Sequence, residues 1–289
     1  MQPSTGKTLV SCLCVTHKKP HRLRRAVDCF LAQRHSCKEL IIVYEDNDPD
    51  TAEMADRLTA EYPGLLFATK VSAMPKRSLG ELRNIAIAAA HGDYVCQWDD
   101  DDWYHRDRIS SQLEAAVGNS RKASLLTHWI IYDEVCKQAY FSLLRLWEGS
   151  LLCRRDAFTE EVRYPALSRG EDSVLITTLI EKGYFYPLIA PNLYIYTVHY
   201  GNTWPRSHFD WLFSRSQKLS AETSVTIGKI LAGAYSIDEA SELLSSPDLT
   251  GEFRYFQEQI NFAKLAGVAA AAAKASSSSA TRSLAASGA

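Results

Sequence analysis

Several common sites are missing from this 289-residue sequence, and each absence narrows what the chain can do. There is no G-x-G-x-x-G and no G-x-x-x-x-G-K-[ST], so a bound nucleotide would not rest in a glycine-rich phosphate cradle. There is no H-E-x-x-H, which removes the usual helix-borne zinc site. The seven cysteines include no Cys-x-x-Cys, so neither a zinc cluster nor a disulfide framework is expected. Cys12, Cys14, Cys29 and Cys96 fall in apolar segments, as buried free thiols of a reducing compartment do. No apolar run reaches the ~20 residues that cross a bilayer. The first such run, Leu9 to Val15, follows a short polar N-terminus and lacks a signal-peptide layout. A net charge of -2 gives no electrostatic reason to hold nucleic acid. No internal repeat is visible. The expectation is a cytoplasmic protein, or one peripheral to the inner face of a membrane, with no nucleic-acid partner and no transmembrane segment. Its 46% hydrophobic content suffices for one large core, or for two small domains sharing an interface.

What the sequence does contain is Gly92 to Trp103, where a short apolar run ends in Asp99-Asp100-Asp101-Asp102 and an aromatic residue closes the segment. Adjacent carboxylates repel, and a hard divalent cation, or a ligand carrying one, would offset that repulsion. Aspartates also favour helix starts and solvated turns, so the run alone leaves both readings open. An EF-hand beginning at Asp99 is excluded, because its sixth position is Tyr104 where glycine is required.

Taken in order, Thr8 to Val15 is a continuous apolar run suited to a strand covered on both faces. Leu23, Val27, Phe30 and Leu31 follow at helical spacing. Leu40 to Tyr44 reads as a second strand ending in Glu45-Asp46-Asn47-Asp48, and Asp50 to Glu61 as a helix with Asp50 and Glu53 as its capping pair. Leu65 to Thr69 is a third strand. Ser78-Leu79-Gly80-Glu81 has the form of a capping box for a helix that Gly92 should close, and Tyr94 to Trp98 is the fourth strand. Ile109, Leu113, Ala116 and Val117 continue in a helix. Four alternations of strand and helix predict a parallel sheet with helices on both faces. Ligands of such sheets bind beyond the carboxyl ends of the strands. Thr16 to Lys19, Glu45 to Asp48 and Asp99 to Asp102 all fall there.

Beyond residue 120 the pattern changes. Ser124 to Tyr132 and Ala139 to Leu146 read as a hairpin, Leu151 to Arg154 as a strand, Gly170 to Glu181 as a helix and Leu193 to Val198 as another strand. Residues up to Gly267 read as helical, and 268–289 as an Ala/Ser-rich tail without a fold of its own.

These motifs, in this order, resemble a family-2 glycosyltransferase of the GT-A fold. The first strand and its turn match at Val15-Thr16-His17-Lys18, without the Pro and Tyr-Asn the family carries there. The paired acids match at Glu45-Asp46, the Ala-Arg-Asn segment at Leu82-Arg83-Asn84, and the metal motif at Trp98 to Asp102. The later Glu-Asp matches at Glu171-Asp172, and a His before Gly-Asn-Thr at His199. The likeness runs from about residue 8 to 205. It implies an α/β GT-A fold, a Rossmann-like nucleotide-diphospho-sugar transferase with a mixed central sheet and C-terminal helices. Residues 8–120 would be the nucleotide-sugar half, 121–205 the acceptor half and 206–267 a helical extension, in one domain over 1–267. It implies inverting transfer from a nucleoside diphosphate sugar, a UDP-sugar foremost, to a carbohydrate or other hydroxyl acceptor, with Mn2+ or Mg2+ on the diphosphate. Asp172 would be the general base, and Asp101 and His199 the metal contacts. Thr16, Asp46, Arg83, Asp99 and Asp100 would hold the donor, with Arg77 nearby, while Asp102 braces the loop. Trp147, Gly149 and Glu171 would line the acceptor side together with Glu148 and Ser150. Two rival readings are a metal-dependent phosphohydrolase built on Asp99 to Asp102, and a nucleotide-sugar-binding module without catalysis.

Overall fold

A computed structural model of the protein describes residues 7–253. The expected tail therefore lies outside the described residues. The first half alternates as its sequence dictates: β1 (Val10–Val15), α1 (Pro20–Leu31), β2 (Lys38–Glu45), α2 (Pro49–Glu61), β3 (Leu66–Val71), α3 (Leu79–Ala89) and β4 (Tyr94–Gln97). Then follow β5 (Trp103–Tyr104), α4 (Arg108–Gly118), β6 (Ala123–Leu126), β7 (Ile130–Asp133), β8 (Gln138–Phe141) and β9 (Leu152–Arg154). The rest is α5 (Glu171–Glu181), β10 (Phe185–Leu188), β11 (Tyr194–Val198), α6 (Arg206–Phe213), β12 (Gln217–Lys218), α7 (Ala221–Leu231), α8 (Ile237–Leu244) and α9 (Pro247–Thr250).

Two sheets form. The larger runs β10-β6-β9-β4-β1-β2-β3 and the smaller β12-β8-β7-β11-β5. In the larger, β1 to β4 are parallel, while β9 is antiparallel to both β4 and β6. Cys12, Cys14, Leu40 and Ile42 face one side of β1 and β2 and pack on α1, while Leu13, Ile41 and Val43 face the other with Ala86 of α3. That two-sided burial explains why these strands read as unbroken apolar runs. None of the seven cysteines is bridged, but Cys136, at the β7–β8 turn, is exposed and is not a core thiol.

Three local expectations are corrected, and one strand went unexpected. α2 is capped by Asp48, whose carboxylate accepts from Thr51 N–H at 3.2 Å, with Pro49 in the first turn, and not by the Asp50–Glu53 pair. Gly92 does not end α3, which closes at Ala90 in extended backbone. A Cβ at Gly92 would instead lie 2.7 Å from Leu9 O and from Ser11 Oγ, so glycine lets β1 approach the start of β4. The stretch 124–132 is two strands in different sheets, broken at Thr127 to Trp129, so the hairpin is only β7 with β8. The edge strand β10 is hidden from sequence reading by Pro187, which an edge position tolerates. The Ser78–Glu81 capping box forms as expected.

Candidate active site

Parallel register sets the site's geometry. Val15 pairs with Val43 and Leu13 with Gln97, so β1, β2 and β4 release Thr16, Asp46 and Asp99 on one edge. The polar clusters expected at these ends do converge. Thr16 Oγ1 donates to Asp100 Oδ2 at 2.6 Å, Lys18 N–H donates to the Asp48 carboxylate, and His17 Nδ1 lies 3.7 Å from Glu45 Oε2. Lys19 Nζ donates to Asp101 Oδ2 at 2.7 Å and lies 3.4 Å from Asp100 Oδ1.

The acidic run crosses from β4 in one sheet to β5 in the other, and its members face different partners. Asp102 is fully buried and accepts from the Tyr194 hydroxyl and, at 2.8 Å, from Thr197 N–H. It ties the loop to β11, the bracing part assigned to it. Asp99 accepts from Gln97 Nε2 at 3.0 Å and faces the cleft with Asp100 and Asp101. Burial, then the charge of Asp101, pushes the Asp100 carboxyl up. Burial works the same way on Asp101, yet the His199 contact and the Lys19 ammonium hold it below the usual range.

On the other wall, α3 and α5 meet around Arg83. This arginine is buried, with Nη1 2.8 Å from Glu148 Oε2 and 2.9 Å from Glu171 Oε1, and Nη2 3.6 Å from Asp99 Oδ1. It is neither a solvated helix arginine nor free for a phosphate, because three carboxylates occupy it. Glu148 also accepts from the Tyr164 hydroxyl, and burial pushes its carboxyl up to about 8. Burial raises Glu171 likewise, against the pull of Arg83. Asp172, one residue into α5, is half-buried on the cleft wall. Its Oδ1 accepts from Ser173 N–H at 2.7 Å, which leaves Oδ2 without a hydrogen-bond partner among the described residues. Trp147 lines the cleft and packs on Trp129 at 4.4 Å. Ser150 is buried behind it, donating to Trp147 O at 2.8 Å.

Gly149 has a steric reason to be glycine. A Cβ there would lie 3.0 Å from both Asp99 Oδ2 and the Tyr194 hydroxyl. Gly149→Ala is expected to displace Asp99 and lower turnover by about tenfold or more, since a shift near 1 Å can cost ~10²-fold, with little change in melting temperature. Steady-state kinetics and thermal unfolding check this. Unchanged turnover would show that Asp99 tolerates the shift.

Not every expected donor residue reaches the cleft. Asp46 is exposed and is not part of the cleft lining, accepting from Ala73 N–H at 2.9 Å, and Arg77 bonds the Ser72 carbonyl. Sequence reading placed Lys19 only in a polar cluster and missed Arg108 altogether. Arg108 is fully buried, donating to Gln97 O at 2.8 Å and Gly149 O at 3.0 Å, with Tyr104 4.5 Å below its guanidinium. Nothing in the sequence marks it off from a solvent-facing helix arginine. Arg145 and His208 also line the cleft unannounced.

Among the described residues no three His, Cys, Asp or Glu side chains form a ready cation site. Asp101 Oδ2 and His199 Nε2 nonetheless face each other at 3.0 Å. Two adjacent ligands each ~2.1 Å from an octahedral ion stand about 3 Å apart, and such ions take only one or two protein ligands when a substrate phosphate supplies others. A carboxylate and an imidazole also suit Mn2+. These residues fit a divalent ion.

Residues 11–152 match Glycosyl transferase family 2. The chain is 34% identical over 113 residues to the amylovoran biosynthesis glycosyltransferase AmsB of Erwinia amylovora, a match covering 38% of this chain and 35% of that protein. The matched stretch is thus about a third of the relative's length. Among solved structures, the fold resembles S. aureus TarS 1-349 in complex with UDP, at TM-score 0.52 and 12% identity over 87% of this chain and 94% of that one. It also resembles the mannosyltransferase PcManGT from Pyrobaculum calidifontis in complex with GDP-Man and Mn2+, at TM-score 0.54 and 14% identity over 91% and 85% of the two chains. The fold is the mixed-sheet GT-A α/β arrangement. No described helix is long and apolar enough to cross a membrane.

Proposed function

We propose that this chain, whose residues 11–152 match glycosyl transferase family 2, is a transferase of that family and moves a sugar from a nucleoside diphosphate sugar to an acceptor hydroxyl with inversion. The observation that carries this reading is a single cleft lined both by Asp99 to Asp101, from the end of β4, and by Asp172, from the start of α5. Asp172 lies beyond the matched family segment, so its presence in that cleft is an independent line of support. The UDP and GDP-Man complexes of the structural neighbours are in line with a nucleoside diphosphate sugar.

In the mechanism, Asp172 Oδ2 accepts the proton of the acceptor hydroxyl as its oxygen attacks the anomeric carbon in one displacement. The Ser173 N–H on Oδ1 fixes that carboxylate. Arg83 clamps Glu171 and Glu148, which anchors the first turn of α5 beside Asp99. Asp101 and His199 would hold a divalent ion, which when bound neutralises charge on the departing diphosphate. Lys19, 3.4 Å from Asp100, would supply a second cation for the phosphates. Asp46, exposed at the end of β2, is the candidate to accept a hydrogen bond from the nucleobase of the donor.

The test is thermal unfolding with UDP, with and without Mn2+, on the parent and on Asp101→Ala. A ligand at a hundred times its Kd stabilises by about 2.7 kcal/mol. The parent should show that gain only with Mn2+, and Asp101→Ala should lose it. Equal stabilisation of the parent with and without metal would overturn the assignment of Asp101 and His199.

A further inference from the structure

The cleft wall carries charge of both signs. The carboxylates Asp99 to Asp101 are met by Lys19 and His199 and, at Asp99, by Arg83. The same cleft is lined by Arg145 and Arg169, two guanidiniums with no hydrogen bond or ion pair among the described residues. Arg145 is half-buried, and its guanidinium lies 4.1 Å from the centre of the Trp147 ring, an arrangement that fixes the side chain without satisfying its five donors. The nearest acid acting on it is Asp172, which exerts a field on Arg145 but accepts from Ser173 instead. His208 adds no charge, because burial and the Arg145 cation push its imidazole down to about 4. Its ring stacks on Trp204 at 4.6 Å, and Trp204 is 36% exposed, an apolar surface beside the arginines.

A half-buried guanidinium without a partner is costly to the folded protein, and a rigid planar fork is the group best matched to a two-oxygen anion. Were Arg145 there to orient the base, it would pair with Asp172, and it does not. We propose that the part of the cleft around Arg145 is a subsite for an acceptor sugar bearing an oxyanion, a carboxylate or a phosphate, held by Arg145 on its Trp147 platform with the exposed Arg169 as a second cation. The proposal rests on the glycosyl-transfer reading, since it names the acceptor class of that same site.

The experiment titrates methyl β-glucuronide, methyl β-glucoside and glucose 6-phosphate into the protein saturated with UDP and Mg2+ by ligand-observed NMR, for the parent, Arg145→Gln and Arg145→Lys. A charge-assisted bidentate contact should make the two anionic sugars bind the parent about tenfold tighter than the neutral glycoside or better. The glucuronide and the phosphate separate the two sources of the oxyanion. Arg145→Gln should erase the preference with UDP affinity kept within about twofold, and its melting temperature should fall little, because only the ring contact with Trp147 is lost. Arg145→Lys, which keeps the charge, should retain part of the preference.

Equal binding of charged and neutral sugars by the parent overturns the subsite. So does a loss of UDP affinity in Arg145→Gln as large as the loss for the anionic sugars, which would make the guanidinium a donor-phosphate contact. A parent that binds UDP but shows no anion preference sinks the subsite alone. Failure to bind UDP at all sinks the transferase reading with it.

Discussion

Asp172→Asn is expected to slow transfer by about 10²- to 10⁴-fold, the usual contribution of a general base, while the protein stays folded and still binds nucleotide. The substitution is close to isosteric, and the amide oxygen can take over the bonds that Oδ1 accepts from Ser173 N–H at 2.7 Å and Ser173 Oγ at 3.3 Å. What it removes is the negative charge at the start of α5, worth about 0.3–1 kcal/mol to a helix N-terminus. A purely structural Asp172 predicts the reverse, a lower melting temperature with turnover per folded molecule intact. Kinetics and thermal unfolding on this one variant separate the two. Full transfer activity would remove the base from the mechanism. Glu171 could not take over without first leaving Arg83, which it meets at 2.9 Å.

Arg83→Met is expected to have the largest effect on stability, about 3–5 kcal/mol, the range for removing one partner of a buried charge network. It strands Glu148 and Glu171, both buried and both within 2.9 Å of the guanidinium. The loss should depend on pH with a definite sign. In the parent, Glu148 has its folded pKa raised from 4.5 to about 8, so the unfolded chain releases its proton first as pH rises. The stability tied to that proton is complete below about pH 4.5 and is lost as pH rises towards 8. Without Arg83 both carboxyls move further up, which steepens the loss on the alkaline side. Urea midpoints for parent and variant at pH 5.5 and 8.5 check this, and a gap that narrows at the higher pH would contradict it.

The parts of this protein that were legible in its sequence are those governed by local chemistry and by the parallel topology. The two-sided burial of β1 and β2, the Ser78 cap and the convergence of Thr16, Lys19 and Asp100 all follow from residue type, period and strand direction. What stayed hidden depends on partners distant in sequence. Arg83 and Arg108 look alike in a helix pattern, yet one gathers carboxylates from α5 and residue 148 and the other donates to carbonyls 97 and 149. The break at Thr127 to Trp129 sends β6 and β7 into different sheets, a decision made by ladder partners and not by propensity. Asp102 could be assigned a bracing part, but its partners, Tyr194 and Thr197, lie more than 90 residues on. Arg145 carried no sequence signal, since an arginine two residues before a tryptophan is unremarkable until the cleft surrounds it.

The central claim is inverting sugar transfer with release of the nucleoside diphosphate, and product analysis tests it most directly. The protein would be incubated with UDP- and GDP-sugars, Mn2+ and the methyl glycosides, with the nucleotide product read by chromatography and the new anomeric centre by proton NMR. The account predicts one nucleoside diphosphate released for each new glycosidic bond, with anomeric configuration opposite to that of the donor. Retained configuration, or release of the nucleoside monophosphate as a phosphohydrolase would give, contradicts it.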